Sequence, residues 1–367
     1  MSRLPPPSAE NQLTFLSKLQ RLFAEGDFSA TYKFALLISL SELAVELGAD
    51  DGDELILSTK QIGERFVQLY WRHASPYGIG RTDAKPGILV QNTGRQAAVV
   101  SAIVEFRAAA GAATPQQAAY HPRYGALLAE VVATVSAQPL NYLQNFGGAT
   151  DPFLYERLNA GKIRLLPGIA YCLRRFHPLV QQLARSHWAE HVKANRRNKA
   201  ILGEFGALED FLFSTSRQSL ALMGEGLRKL DGASCFYCGN ALSSFDVDHY
   251  VPFSLYPRDL AHNFVLAHPT CNRSKSDTLA GRPHLERWLE RLLRQADALS
   301  EIGLSAGITA DAPTSQCVAS WGYTSASASG GHAWLSPAQY ETIDNLYLAL
   351  FPGAGGVLPH SIGVMER

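Results

Sequence analysis

The sequence predicts a mainly α-helical protein that carries one small α+β module, and three observations support this. Apolar residues recur every three or four positions through much of the first 150 residues, the spacing of a buried helix face. Three of the five cysteines fall in one 37-residue window that also holds short β-branched and aromatic runs. The chain has 367 residues, whereas single cores rarely grow beyond about 250–300, so we expect two domains.

The helices of the first domain are predicted in order along the chain. The first presents one apolar stripe, made of Leu13, Leu16, Leu19 and Phe23. Apolar residues surround the run 34–47, which indicates a helix at the centre of a bundle. Ser58 or Thr59 is a good N-cap for a third helix that continues to Tyr70. Further helices are expected at 97–106 and 122–135.

The rest of the chain is predicted to contain helices at 208–230 and 283–299. Residues 305–331 are rich in Ser, Ala and Gly and predict a long loop. Ser336 and Pro337 are typical of the start of a last helix that ends near Phe351. We therefore expect a helical domain at 1–205 that regulates or binds a target, a module at 206–300, and a loop and C-terminal helix at 301–367 that pack on them.

The N-terminus and the cysteine pattern predict a cytoplasmic protein. The N-terminus lacks the apolar core of a secretory signal. The run 34–47 is too short and too polar to span a bilayer, which needs about 20 apolar residues, so no membrane association is expected. An odd number of cysteines, three of them clustered, favours metal binding in a reducing compartment over disulfides.

The cysteine window predicts a structural zinc site. Cys235 and Cys238 form a C-x2-C pair, and His268 with Cys271 forms an H-x2-C pair after 29 intervening residues. Two such pairs supply the four ligands of tetrahedral zinc and leave no open position. His262 competes with His268 as a ligand, but the two-residue separation from Cys271 favours His268.

A second site is predicted between the two zinc pairs. Asp248 and His249 end a short strand, and Asn272 follows the last zinc ligand at the start of a helix. A carboxylate and an amide oxygen could hold one hard cation such as Mg²⁺, which keeps several waters. The adjacent imidazole would then be free to deprotonate a water, as phosphodiester hydrolysis requires.

These motifs resemble the HNH endonuclease family with its ββα-metal fold. The order is Cx2C, then DH-x2-P, then Asn263, then the second zinc pair running into CN-x2-K. Residues 246–277 are also similar to the HNH domain of RNA-guided DNA nucleases, which lacks the zinc ligands. The resemblance covers about 45 residues, and we do not recognise the N-terminal helical region.

The resemblance implies a role for each matched residue. His249 is implied to be the general base, and Asp248 and Asn272 are implied to ligate a catalytic Mg²⁺ or Mn²⁺. Asn263 is implied to hold the loop and orient the base. Lys275 matches a position where a phosphate contact is expected, although a solvated helix face is an equal alternative. Asn272 replaces the third histidine of the motif, and His268 stands where zinc-bearing members usually have cysteine.

The charge pattern is consistent with a nucleic-acid partner. Over the whole chain, 33 Lys and Arg balance 33 Asp and Glu. Within 162–199, however, Glu190 is the only acid beside nine cations: Lys162, Arg164, Arg174, Arg175, Arg185, Lys193, Arg196, Arg197 and Lys199. Such a run is either a solvated face or a phosphate-contacting stripe, and the nuclease motif that follows favours the stripe.

The sequence thus predicts a metal-dependent HNH endonuclease that cuts one strand of double-stranded DNA per active site. It would nick as a monomer or cut both strands as a dimer. A role in bacterial anti-phage defence or restriction is expected, and the helical domain could bind a protein partner. Two alternatives stay open, a non-catalytic zinc module that binds nucleic acid or protein, and a nuclease that acts on RNA. Oligomeric state is left open.

Overall fold

The computed structural model describes residues 3–78, 86–203 and 208–351. Its N-terminal helices are α1 Ala9–Glu25, α2 Tyr32–Leu47, α3 Thr59–His73, α4 Ala98–Ala110, α5 Pro115–Ala119, α6 Tyr124–Ala137, α7 Pro139–Tyr142, α8 Ile169–Arg175, α9 His177–Ala194 and α10 Lys199–Leu202. The strands among them are β1 Leu55–Ser58, β2 Asn145–Phe146, β3 Ala149–Thr150, β4 Tyr155–Leu158 and β5 Lys162–Leu165. The helical character predicted for this region is confirmed.

Helix α2 lies at the centre of the helical region. Every residue from Tyr32 to Val45 along it is buried, which confirms the position predicted from its all-round apolar surface. The buried serine hydroxyls of α2 are satisfied by hydrogen bonds within the helix. For example, Ser39 Oγ donates to the Ala35 carbonyl at 2.7 Å. Helix α9 packs along α2 and contributes Trp188, which is fully buried.

Helix α3 begins with a capping box at Ser58. The Ser58 hydroxyl accepts from the Gln61 N–H, and the Gln61 side chain accepts from the Ser58 N–H. This decides between the two predicted N-caps. Strand β1 leads into α3 and pairs with β5 in a small antiparallel sheet of order β1-β5-β4, which the sequence did not predict.

The second half of the chain contains the helices α11 Leu208–Phe213, α12 Arg217–Asp231, α13 Pro269–Lys275, α14 Arg282–Ala306, α15 Ala312–Ala328 and α16 Asn345–Leu348. Its strands are β6 Asp246–His249, β7 Phe264–Ala267, β8 His332–Ser336 and β9 Gln339–Thr342. Strands β6 and β7 pair antiparallel and are followed directly by α13, so the predicted ββα unit is present.

Three predictions of secondary structure were wrong. The helix expected at 208–230 is two helices, because Ser216 caps a new helix by accepting from the Ser219 N–H at 3.0 Å. The loop expected at 305–331 contains α15, since its small residues fit a helix that buries Trp321 and Tyr323. Ser336 does not cap a last helix, because it ends a strand of the β8-β9 hairpin.

The two halves share buried surface. Val45 of α2 belongs to the same cluster as Tyr256 and Trp321 from the second half. His177, at the start of α9, stacks on the Tyr256 ring with 5.3 Å between centroids. The predicted domain limits stay predictions, but α2 and α9 clearly contact the module. Among the described residues, no helix combines the length and apolar character needed to cross a bilayer.

Candidate metal centre and active site

The four predicted zinc ligands come together in space. Cys235 and Cys238 lie on a turn after α12, His268 follows β7 as the N-cap residue of α13, and Cys271 lies in the first turn of α13. Their ligand atoms all lie within 4.8 Å of one another. The Sγ of Cys238 is 3.3 Å from Nδ1 of His268.

Hydrogen bonds around the cluster orient its ligand atoms towards one another. Nε2 of His268 donates to the Ala241 carbonyl at 3.1 Å, which leaves Nδ1 unprotonated and turned towards the sulfurs. The His268 N–H points at Sγ of Cys235, 3.4 Å away. His262 lies elsewhere, since its Nε2 donates to the Ala296 carbonyl at 3.0 Å. The geometry therefore favours His268 over His262 as the fourth ligand.

The electrostatics of the cysteines fit a dication. Burial would raise the pKa of the Cys235 thiol, but hydrogen bonds, led by the Cys238 N–H, outweigh it and hold this pKa at about 7. Burial and the negative charge of Cys235 and Cys238 raise the pKa of Cys271 to about 12. A divalent ion held by these residues would offset that repulsion. Three sulfurs and one imidazole nitrogen are a zinc donor set, and four protein ligands make the site structural.

The candidate active site lies at the end of β6. Asp248 is opposite Val265 and His249 is opposite Phe264 in the β6-β7 ladder. Successive side chains of a strand point to opposite faces, so Asp246 shares a face with Asp248. Nδ2 of Asn272 donates to Oδ2 of Asp246 at 3.1 Å. The ββα fold therefore brings a second carboxylate, Asp246, directly against Asn272.

Lys275 differs from what its sequence position suggested. Its side chain is 0% exposed, and Nζ donates to the His249 carbonyl at 2.8 Å. Nζ also lies 3.3 Å from Oδ2 of Asp248, which accepts a 2.6 Å hydrogen bond from the Tyr237 hydroxyl as well. The phosphate contact expected for Lys275 is therefore wrong, because the ammonium group is in the interior and neutralises Asp248 there.

Asn263 closes the loop that follows His249. Its Oδ1 accepts from the Val251 N–H at 2.7 Å, and its Nδ2 donates to the Val251 carbonyl at 2.9 Å. The Asn263 backbone carbonyl accepts from the Tyr250 N–H at 2.7 Å. Because Asn263 is buried, these bonds fix the backbone directly after His249.

Asp259 is a site residue that sequence reasoning missed. Nε2 of His249 donates to Oδ1 of Asp259 at 2.5 Å, and the Thr215 hydroxyl donates to Oδ2. Burial would raise the pKa of Asp259, but these two donors and the charge of Arg185 lower it below its usual value. Asp259 has no motif-like spacing from His249. Only the folded loop between β6 and β7 reveals the pair.

The basic stretch 162–199 does not form one exposed stripe. Arg174 is buried against the Ala44 and Val45 carbonyls, and Arg164 forms ion pairs with acidic neighbours. Arg185 is turned inward and donates to the Pro257 carbonyl at 2.6 Å. Lys162 and Arg175 are exposed but separate along the chain, whereas four exposed cations lie after the end of α9 or within its last turn. We call these four the basic turn: Lys193, Arg196, Arg197 and Lys199.

The fold and the two sites define the class of protein, which carries an HNH nuclease module. Residues 235–278 match the family described as HNH endonuclease. HNH domains are a family of nucleases, so this match suggests nuclease activity on nucleic acid. Residues 12–205, more than half of the chain, match the family described as Domain of unknown function (DUF8808), and the chain belongs to that family. No curated protein and no solved structure matches the chain.

Proposed function

We propose that this protein is a metal-dependent endonuclease that hydrolyses phosphodiester bonds of double-stranded DNA, one strand per active site. One observation carries the proposal. The β6-β7-α13 unit carries an accessible imidazole, two carboxylates and an amide on one strand end and the helix that follows it, and these are the groups that such hydrolysis requires. His249, at the strand end, keeps 22% of its side chain exposed, so a water and a phosphate can reach it.

His249 is the proposed general base. Its Nε2 is engaged with Asp259, which leaves Nδ1 to accept a proton from the attacking water. The water oxygen then forms a bond to phosphorus, and the bond from phosphorus to the 3′ oxygen breaks. The products are a 5′-phosphate and a 3′-hydroxyl, and the leaving oxygen takes its proton from solvent.

The oxygen ligands fit a hard divalent cation. Asn272 uses its amide nitrogen on Asp246, so its amide oxygen is left for a metal. Asp248 and Asn272, with Asp246 beside them, would hold Mg²⁺ or Mn²⁺. When bound, this ion supplies positive charge against the phosphate and the leaving oxygen. Because Lys275 already neutralises one oxygen of Asp248, we expect its other oxygen to be the ligand.

The basic turn is the proposed extension of the DNA-binding surface. Lys193, Arg196, Arg197 and Lys199 are exposed, and they contact phosphates without reading sequence in this proposal. A monomer nicks and a dimer cuts both strands. We further propose a cytoplasmic role in defence against invading DNA, where compact HNH modules fused to such domains often serve, with the helical domain selecting a target or a protein partner.

The test is cleavage of supercoiled plasmid with Mg²⁺ or Mn²⁺. The wild type should convert it to nicked circles, and His249→Ala should lower the rate by about 100-fold or more. His332→Ala is the matched control, because His332 is exposed on the β8-β9 hairpin and should cut normally.

An intact plasmid with wild-type protein, or equal cutting by His249→Ala, contradicts the proposed function. A parallel incubation with single-stranded and structured RNA separates the substrates. Cleavage of RNA with the plasmid untouched would replace DNA by RNA, and binding without cleavage of either would indicate a non-catalytic zinc module.

A further inference from the structure

The loop between β6 and β7 is held by the helical domain rather than by the nuclease module alone. Its residues 256–259 form what we call the docking loop. The Tyr256 hydroxyl donates to Oε1 of Glu46 at 2.5 Å, and Nη1 of Arg258 donates to the same oxygen at 2.6 Å. Nη2 of Arg258 donates to Oε1 of Gln68 at 3.0 Å. Both partners, Glu46 and Gln68, belong to helices α2 and α3.

A third helix of the same domain holds the docking loop from another side. Nη2 of Arg185, on α9, donates to the Pro257 carbonyl at 2.6 Å. The side chain of Glu46 is 4% exposed and that of Arg258 is 13% exposed, so their ion pair is shielded from water. A shielded pair with several hydrogen bonds keeps one geometry, because any other arrangement takes the guanidinium of Arg258 away from its carboxylate.

The docking loop ends on Asp259, which bonds the ring of His249. Oδ1 accepts from Nε2 of His249 at 2.5 Å, and Oδ2 accepts from the hydroxyl of Thr215, in the segment that joins α11 to α12. The His249 ring also packs against Phe253 and Phe264, with centroids 5.2 and 4.6 Å away. Both the rotation of the ring and its protonated nitrogen are thereby set.

We propose that Asp259 is a positioning residue that holds His249 in the tautomer with Nε2 protonated, and that the helical domain keeps Asp259 in place. The inference rests on the proposed function of His249 as a base. A carboxylate that accepts a hydrogen bond from one ring nitrogen leaves the other nitrogen unprotonated and fixes the orientation of the ring. A general base needs this unprotonated, oriented nitrogen. The helical domain is then part of the active-site scaffold.

The first experiment compares Asp259→Ala, Asp259→Asn and Asp231→Ala in plasmid cleavage. Asp259→Ala should lower kcat by about 10- to 100-fold with KM for DNA unchanged, because Asp259 acts through His249 and does not touch the substrate. Asp259→Asn keeps an acceptor and should restore part of kcat. Asp231, which pairs with the largely buried Arg291, is the matched control for loss of a carboxylate and should leave kcat unchanged.

A kcat for Asp259→Ala equal to that of the wild type would overturn the proposal. So would equal losses for Asp259→Ala and Asp231→Ala together with equal falls in melting temperature, since both would then be structural. Glu46→Gln tests whether the helical domain keeps Asp259 in place. This variant should lower kcat although Glu46 lies outside the nuclease module. Unchanged kcat with intact folding would show that the helical domain does not hold the base.

A second experiment needs no activity. Imidazole nitrogen chemical shifts of His249, assigned by their absence in His249→Ala, should show protonated Nε2 in the wild type in mildly alkaline buffer. Asp259→Ala should show a mixture of both neutral tautomers, and Thr215→Val should keep the wild-type pattern with a shifted signal. If the wild type is inactive but shows this pattern, the proposed function fails and the positioning of His249 stands. A wild-type mixture of tautomers overturns the positioning role itself.

Discussion

Lys275 shows how burial changes the role of a residue. Its ammonium group donates to the His249 carbonyl and lies 3.3 Å from Oδ2 of Asp248. Burial lowers the pKa of Lys275, and the carboxylate of Asp248 opposes that shift. A lysine at the same sequence position on an exposed helix face could bind phosphate. Here it neutralises a metal-ligand candidate and fixes the strand end that carries the base.

Lys275→Met should therefore destabilise the protein. The substitution leaves Asp248 buried with the Tyr237 hydroxyl but without a counter-charge, and such losses cost about 3–5 kcal/mol. Urea unfolding without added Mg²⁺ or Mn²⁺ measures the change. Lys229→Met, at an exposed position of α12, is the control and should stay within about 0.5 kcal/mol of the wild type. Equal stability of the two variants would show that the buried pair contributes little.

At the scale of elements, the four-ligand cluster joins three segments: the turn after α12, the end of β7 and the start of α13. The turn that carries Cys235 and Cys238 contacts α13 and the end of β7 through the four ligand atoms. The neighbouring strands β6 and β7 have only four residues each, and isolated two-stranded hairpins are marginally stable at best. A structural metal supplies folding free energy in such a case.

Cys235→Ser should remove stoichiometric zinc and lower the melting temperature. The matched control is Cys317→Ser on α15, where the cysteine is exposed and lies outside the cluster. Metal analysis of the purified proteins, with thermal unfolding, measures both effects. Full zinc content in Cys235→Ser would remove this cysteine from the ligand set, and zinc loss in Cys317→Ser would show that the control position affects the site.

At the scale of the whole molecule, the helical domain and the nuclease module meet around His177. Nδ1 of His177 donates to the Ser41 carbonyl at 3.2 Å, and the ring contacts Tyr256 and Trp321. Burial, with a smaller contribution from Arg185 and a compensating hydrogen bond, lowers the pKa of His177 to about 3, against an ordinary value of 6.5. Folded protein therefore keeps this imidazole neutral in mild acid.

The stability of the protein should then fall as the pH falls from 6.5 towards 3. In that window the unfolded chain protonates His177 and the folded protein does not, so protons favour unfolding by about 1.4 kcal/mol per pH unit. Above pH 6.5 the contribution is constant. Urea unfolding at two pH values inside the window compares wild type with His177→Gln, whose loss of stability should be smaller. The exposed His332→Gln should lose as much as the wild type, and identical losses in all three would contradict the assignment.

Both sites could be predicted from the sequence because their residues lie close together along the chain. The zinc pairs have fixed local spacings, and His249, Asn263 and Asn272 lie in one stretch that folds as a ββα unit. Helical periodicity likewise determined the N-terminal helices and the central position of α2. In these cases a recurrent spacing along the chain is enough to predict which residues come together.

Long-range packing decided the remaining features, namely α15, the buried cations and the contact of Asp259 with His249, and these cannot be predicted from short-range sequence patterns. The Ser- and Ala-rich stretch predicts a loop, but it forms a helix because Trp321 is buried against the rest of the fold. The sequence likewise predicts exposed side chains for Arg174, Arg185 and Lys275, but residues distant in sequence enclose all three. Asp259 lies ten residues from His249, and its carboxylate reaches the ring because Glu46 anchors the docking loop from more than 200 residues away. The sequence by itself determined which groups could do chemistry. The tertiary structure decided which of these groups are accessible and correctly oriented, because burial and charge compensation depend on the whole fold.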